Sequence, residues 1–348
     1  MIGSAFKGLG RGFAESLFQS QASPFIGLFI GILATGLIQS SSTTTSLVVG
    51  MVAAGTFGND PKLAVAAAVP YIMGANIGTS ITNTIVSLGH IVNREEFKRA
   101  FSASVVHDFF NILAVVVIFP FEVIFGVISS AAYSLSSVLV GAGGGTFTSP
   151  VKMITKPTVK WIETLVQKQT IIDSDVLLLV AALSFLFFSL RNLTKLIKSL
   201  VMLRLQAFFD THIFRTTLRA MFFGVIITIL VQSSSITTSL VIPLAGAGIL
   251  NLRQIFPYTL GANIGTTVTS LLASMVSGTI APLAVALSHL IFNILGIGVL
   301  WPIKKVREIP IHLAEWFSDL ATKNKLYPLL YIFIVFFVIP LSLISIVR

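Results

Sequence analysis

Gln39-Ser40-Ser41-Ser42-Thr43-Thr44-Thr45-Ser46 sets eight polar residues in a row between two apolar arms, Pro24 to Ile38 and the run that begins at Leu47. The arms are too short and too broken to be two ordinary spanning helices, each of which needs about 20 apolar residues. Inside a bilayer, irregular backbone survives only where it is buried in protein or lines a cavity. The stretch therefore reads as a re-entrant helical hairpin with its polar tip near the midplane. A helix that begins at such a tip points free N–H groups and its positive dipole end there. Serine and threonine hydroxyls and the glutamine amide add further donors.

The same pattern returns. Gln232-Ser233-Ser234-Ser235-Ile236-Thr237-Thr238-Ser239 repeats the first tip, and Gly74-Ala75-Asn76-Ile77-Gly78-Thr79 recurs unchanged as Gly261 to Thr266. His107, Phe110, Asn111, Ile112 and Leu113 return as His289, Phe292, Asn293, Ile294 and Leu295. Three motifs repeated in one order mark a two-fold transporter architecture, with the site where the halves meet.

The rest of the chain fits a membrane protein. Only 10% of its 348 residues are charged and 55% are hydrophobic, whereas soluble domains carry roughly 25% charged residues. The apolar runs are continuous, which argues for helices rather than the alternating strands of a β-barrel. Spans are expected at 62–90, 101–119, 176–190, 280–301 and 327–346, with 62–90 and 254–276 interrupted at their glycine motifs. Residues 1–20 have Phe6, Leu9, Phe13 and Leu17 at helical spacing, as in an interfacial helix. No cleavable signal peptide is expected. The net charge of +10 comes from short clusters between apolar runs, which points to loops beside a membrane rather than to nucleic acid. With no cysteine, disulfides, thiolate metal sites and cysteine nucleophiles are excluded. No nucleophile–base constellation suggests an enzyme.

The segment 121–142 leaves two topologies open. If it lies on the surface, three single crossings separate the two tips and the second half is inverted. Basic residues 94–99, 191–219 and 304–307 then share one side, the expected cytoplasm, while Lys7, Arg11 and the lysines of 152–168 lie outside. If it crosses, the halves are parallel and the basic clusters split. Inversion is the preferred reading. Expected divisions are an N-terminal helix at 1–23, a first repeat at 24–120, a connecting region at 121–203, a second repeat at 204–301, and a basic loop with the last span at 302–348.

The chemistry follows from residue types. Gln39, Ser40, Ser41, Ser42 and Thr43 with Gln232, Ser233, Ser234 and Ser235 are candidates for an oxyanion. Thr44, Thr45, Asn76, Thr79, Ser80, Thr237, Thr238, Asn263, Thr266 and Thr267 supply neutral oxygens for, or support to, a hard cation such as Na⁺; no transition metal is implied. No Lys or Arg lies in these motifs, so a doubly charged phosphate there needs co-bound cations: two Na⁺ neutralise it, and a third makes transport electrogenic. The plainer alternatives are specific. Gly74-x-x-x-Gly78 is also a helix-packing pattern, and hydroxyls in spanning helices commonly bond their own backbone. His107 with Asn111, and His289 with Asn293, favour hydrogen bonding between helices. Asp108 is a cation ligand or an ion-pair partner near the basic loop. Glu122, Trp161, Trp301 and Trp316 are expected at interfaces.

The doubled Gln-Ser-Ser-Ser, the Gly-Ala-Asn-Ile-Gly-Thr-Ser-Ile-Thr-Asn run at 74–83, and His107-Asp108-Phe109-Phe110-Asn111 with Pro120-Phe121-Glu122 resemble the type II sodium-dependent phosphate cotransporters. The resemblance spans nearly the whole chain. It implies an all-α polytopic membrane protein of two inverted repeats, each with a re-entrant hairpin and an interrupted helix, moving in an elevator-like manner. Phosphate would sit between the two tips with Na⁺ nearby, in a multi-pass protein of the cell (plasma or inner) membrane. The expected partners are inorganic phosphate, Na⁺ and the lipid bilayer, with a homodimer allowed. A Na⁺-coupled carboxylate or other oxyanion transporter is the alternative. The large disulfide-bearing loop of the family's animal members is replaced here by a short, cysteine-free stretch near 143–172.

Overall fold

The computed structural model describes residues 23–139 apart from 54 and 59, scattered positions between 157 and 184, and residues 214–275 and 279–347. The expected helix at 1–20, much of the stretch near 143–172, most of the span at 176–190 and most of the basic residues of 191–219 lie outside the described residues. The described elements are all helical. Helices α1 (Pro24–Ile38) and α2 (Ser41–Ala53) form the first hairpin. Then come α3 (Pro61–Gly78), α4 (Ile81–Ser87), α5 (Arg94–Phe125) and α6 (Val127–Leu139). Helices α7 (Thr217–Val231) and α8 (Ser234–Gly246) form the second hairpin, followed by α9 (Leu252–Met275) and α10 (Ile280–Leu300). The chain ends with α11 (Lys304–Lys323), α12 (Leu326–Phe333), a π-helical turn (Ile334–Val338) and α13 (Ile339–Val347). Among the described residues, four helical segments are long and apolar enough to cross a membrane: Pro61–His90, Arg94–Phe125, Ile280–Leu300 and Leu326–Ile346. The chain is an all-α polytopic membrane protein.

Packing follows the repeat in the sequence. Helix α1 lies along α3, and its counterpart α7 lies along α9. Further contacts cross between halves: α2 packs on α9 and α10, while α8 packs on α4 and α5. Likewise α6 packs on α10 and α3, and α11 on α5 and α9. Each hairpin is thus seated against helices of the other half, which brings the two polar tips toward the centre.

The first glycine motif ends its helix and the second does not. Helix α3 stops at Gly78, and a turn at Thr79–Ser80, where the Ser80 N–H bonds the Ile77 carbonyl at 3.4 Å, separates it from α4. Helix α9 is continuous through Gly261–Thr266. The first glycine of each motif also has a steric role. A Cβ on Gly74 would fall on the Leu28 carbonyl oxygen of α1, and a Cβ on Gly261 on the Met221 carbonyl of α7. These glycines let two backbones touch, as in small-residue helix packing.

One further expectation changes. Helix α5 extends past 119 to Phe125 and turns at Gly126, whose φ is +60°. Glu122 is buried. Its carboxylate accepts from the N–H groups of Ile128 (2.6 Å) and Ser129 (3.3 Å) and so caps α6. With 13 residues, α6 is about 20 Å long, shorter than the ~30 Å hydrocarbon core.

Ion pairs hold α11 to both halves. Asp319 meets Lys98 of α5, and Glu308 lies 2.8 Å from Arg253 of α9. Arg99 donates from Nη2 to the Gly246 carbonyl at 2.9 Å, which satisfies the C-terminus of α8. Trp316 and Trp161 are exposed, while Trp301 packs on Phe256 and receives Arg307 over its ring at 4.9 Å.

Candidate functional site

Each tip is built the same way. Helix α1 ends at Gln39 and α7 at Gln232, both in the left-handed region with φ of 57° and 54°. They are the only non-glycine residues of positive φ among those described. Their N–H groups close back on the Thr35 and Thr228 carbonyls, at 2.7 and 2.6 Å. This conformation turns the chain within two residues, so that α2 and α8 begin at Ser41 and Ser234. The Ser40 Oγ accepts from the Thr43 N–H (3.2 Å), and the Ser233 Oγ from the Ile236 N–H (3.3 Å). The N–H groups of Ser41 and Ser42, and of Ser234 and Ser235, have no helical partner by geometry.

The tip side chains divide into two sets. The Ser40 hydroxyl also pairs with that of Thr43 at 2.9 Å. Thr44, Thr45 and Thr237 donate to carbonyls of their own turn, at 3.2, 3.3 and 3.0 Å. Ser41, Ser42 and Ser234 are buried, at 3%, 6% and 2% exposure, yet among the described residues their hydroxyls bond to no protein group. These hydroxyls remain available for hydrogen bonding.

One short segment of the first half joins both tips. The Thr82 hydroxyl donates to Gln39 Oε1 at 2.6 Å. Ser235 donates to the Thr79 carbonyl at 3.4 Å, and Thr238 and Ser239 donate to Asn83 Oδ1 at 2.9 and 3.3 Å. The loosened turn at Thr79–Ser80 and helix α4 therefore lie between Gln39 on one side and the second hairpin on the other.

Asn76 and Asn263 are placed elsewhere, in a buried net of asparagines and histidines. Asn76 Nδ2 donates to Asn111 Oδ1 (3.2 Å) and to Asn293 Oδ1 (3.1 Å). Asn263 Nδ2 donates to Asn111 Oδ1 at 2.8 Å. His107 Nε2 lies 2.6 Å from Asn263 Oδ1, and His289 Nε2 lies 3.3 Å from Asn76 Oδ1. Each histidine thus reaches the asparagine of the opposite half. These side chains spend their hydrogen bonds on one another, which is the inter-helix role that the i, i+4 spacing favours. Thr79, Ser80, Thr266 and Thr267 each donate to a carbonyl of their own helix, at 3.0, 2.9, 3.0 and 2.7 Å. A hydroxyl that donates in this way still turns oxygen lone pairs outward.

Asp108 is fully buried on α5. Its Oδ2 accepts from Tyr331 (2.9 Å) and Thr84 (3.3 Å), while Oδ1 meets no donor. Among the described residues it forms no ion pair. The second half has Leu290 at the matching position, Leu271 for Thr84 and Ser270 for Asn83. The reading of single motifs missed Asn83, Thr84 and Tyr331. Comparing the repeats for positions polar in one half only would have found Thr84, which stands opposite Leu271.

A profile of the Na⁺/Pi-cotransporter family matches residues 1–147 and 185–320. The sodium-dependent phosphate transport protein 2B of Homo sapiens is 31% identical over 434 residues, covering 98% of this chain and 62% of that protein. The sodium-dependent phosphate transport protein 2A of Rattus norvegicus is 32% identical over 413 residues, covering 98% of this chain and 64% of its own length. The chain thus spans somewhat under two thirds of these relatives. No solved structure matches it. With its family profile matched over both tips and the net between them, the chain belongs to the Na⁺/Pi-cotransporter family.

Proposed function

We propose that this protein is a secondary active transporter, not an enzyme, that couples Na⁺ to the movement of inorganic phosphate across the cell membrane. The observation that carries the reading is the pair of matched tips. Beside the N-terminus of a helix, the first presents the hydroxyls of the buried residues Ser41 and Ser42, and the second that of Ser234, with no protein partner among the described residues. Such an arrangement offers donors and a positive dipole end to an oxyanion. In this reading Ser41, Ser42, Ser234 and Ser235, with their N–H groups, contact phosphate, and Gln39 and Gln232 shape the two turns. Ser40, Thr43 and Ser233 brace them.

The tips carry hydroxyls and amides but no Lys or Arg. A buried dianion without a fixed counter-charge is costly, so cations must enter with it. Asp108 is the candidate cation ligand, because its Oδ1 is buried and unpartnered and the hydroxyls of Thr84 and Ser80 stand beside it. The hydroxyls of Thr79, Thr266 and Thr267 are further candidates. Asn76 and Asn263 act as supports that hold the halves in register. The proposed architecture is two inverted repeats with re-entrant hairpins and elevator-like motion of the hairpin-bearing part.

The test is uptake of labelled phosphate into proteoliposomes. An inward sodium gradient should be required, and unlabelled phosphate should compete where succinate does not. Uptake indifferent to sodium would overturn the coupling, and competition by succinate would reassign the substrate to carboxylates.

A further inference from the structure

Tyr331 belongs to neither copy of the repeated motifs, yet its hydroxyl donates to Asp108 Oδ2 at 2.9 Å. It arrives on α12, the start of the C-terminal span. Its ring is held on two sides, by Phe317 of α11 with centroids 4.9 Å apart and by Phe336 edge-on at 5.9 Å. Phe336 is fully buried in the π-helical turn. That turn packs against α1, where Gly36 faces Phe336. The Gly36 carbonyl in turn accepts from Gln39 Nε2 at 2.6 Å. Contacts therefore run without a gap from the first tip to the buried carboxylate, by way of the C-terminal helix. A π-turn inserted in a helix is a feature frequently found at functional sites.

With Tyr331 and Thr84 both on Oδ2, one oxygen of Asp108 is fixed and the other is left buried without a hydrogen-bond partner. We propose that Tyr331 is a positioning residue for a cation at Asp108, holding Oδ2 so that Oδ1 is presented to the ion. This rests on the reading of Asp108 as a cation ligand. A carboxylate free to rotate would have to be ordered at the moment of binding, and a pre-fixed one does not. The C-terminal helix thereby becomes part of the cation site, although it carries no charged group there.

Tyr331→Phe removes the hydroxyl and keeps both ring contacts. Labelled inorganic phosphate binding by the purified full chain, titrated with Na⁺, reads the effect. Half-saturating sodium should rise about tenfold, the scale of one hydrogen bond to a charged group. Phosphate affinity at saturating sodium and the thermal midpoint should stay unchanged, and the preference for Na⁺ over Li⁺ should narrow. Asp108→Asn should raise half-saturating sodium at least as much, and Tyr331→Phe should add nothing to it. If Asp108→Asn shifts the sodium dependence and Tyr331→Phe leaves it unchanged or lowers it, the positioning role is wrong. An equal further shift in the double variant, or a lower thermal midpoint without a sodium shift, is also against it. If Asp108→Asn itself leaves the sodium dependence unchanged, the cation assignment beneath the proposal falls.

Discussion

The Thr82 hydroxyl donates to Gln39 Oε1 at 2.6 Å, and this contact pins the first tip to helix α4. The other end of the same amide donates to the Gly36 carbonyl at 2.6 Å. Gln39 is therefore fixed at both ends of its side chain while its backbone stands at φ 57°. A left-handed backbone costs an ordinary residue about 1–2 kcal/mol, and strain of this kind persists where the surroundings over-determine it.

Gln39→Gly separates the turn from the amide. Glycine adopts the left-handed conformation freely, so the thermal stability should change by less than about 1 kcal/mol. Phosphate affinity should nevertheless fall at least about tenfold, because the tip is no longer held against Thr82. Thermal unfolding and phosphate binding on the same preparation check both parts. Wild-type affinity in the glycine variant would mean that the amide serves only the turn.

The open serines give a sharper contrast. Ser41→Ala and Ser234→Ala each delete a hydroxyl that the protein does not use, so folding should be unaffected. Each should weaken phosphate binding by about tenfold or more, since hydrogen bonds to charged groups contribute about 1.5–3 kcal/mol. Ser46 is the control within the same polar run. Its hydroxyl donates to the Ser42 carbonyl at 2.6 Å, and Ser46→Ala should leave affinity within about twofold. Isothermal titration with phosphate in excess sodium distinguishes the two sites.

Much of this arrangement was legible in the residues. An eight-residue polar run between short apolar arms, met twice, has few physical solutions in a bilayer. The hairpins α1–α2 and α7–α8, turning at Gln39 and Gln232, are one of them. The role of Gly74 and Gly261 was not legible, because Gly-x-x-x-Gly serves equally to break a helix and to let another helix approach. Only the position of α1 and α7 decides between them. The roles of Asn76 and Asn263 were hidden for a similar reason. An amide oxygen can face a cation or a neighbouring helix, and the outcome depends on His289 and His107 arriving from the other half. Tyr331 gave no signal at all, since a tyrosine in an apolar span reads as an ordinary interface residue.

The asparagine and histidine net predicts coupled losses. Asn263→Ala removes the donor to Asn111 and the acceptor for His107 Nε2 in one step. Leaving buried polar groups unpaired costs about 1–3 kcal/mol each. The variant should therefore lose more stability than the deletion of a comparable apolar side chain would suggest. Asn263→Ala combined with His107→Leu should regain part of that loss, because the orphaned ring nitrogen is gone. Chemical unfolding in detergent provides the measurement. Strictly additive losses would show that the two side chains do not act together.

The glycines on the α1–α3 and α7–α9 seams provide a test of packing alone. Gly74 and Gly261 would each drive a Cβ onto a backbone carbonyl, which cannot rotate away as a side chain can. The helices must separate, and neither seam can do so freely. Helix α1 is also packed against the C-terminal span, and α7 leads directly into the second tip. Gly74→Ala and Gly261→Ala should therefore destabilise by about 1–3 kcal/mol, the usual scale for overpacking. They should also weaken phosphate binding, since moving α1 or α7 displaces Gln39 or Gln232. Gly298 lies in a helix with nothing within 4 Å of an added Cβ. There the higher helix propensity of alanine should dominate, and Gly298→Ala should stabilise by up to about 1 kcal/mol. Opposite signs at chemically identical substitutions, read from unfolding midpoints, are the expected outcome. Equal effects at the three positions would show that the close approach of the two seams is not what these glycines provide.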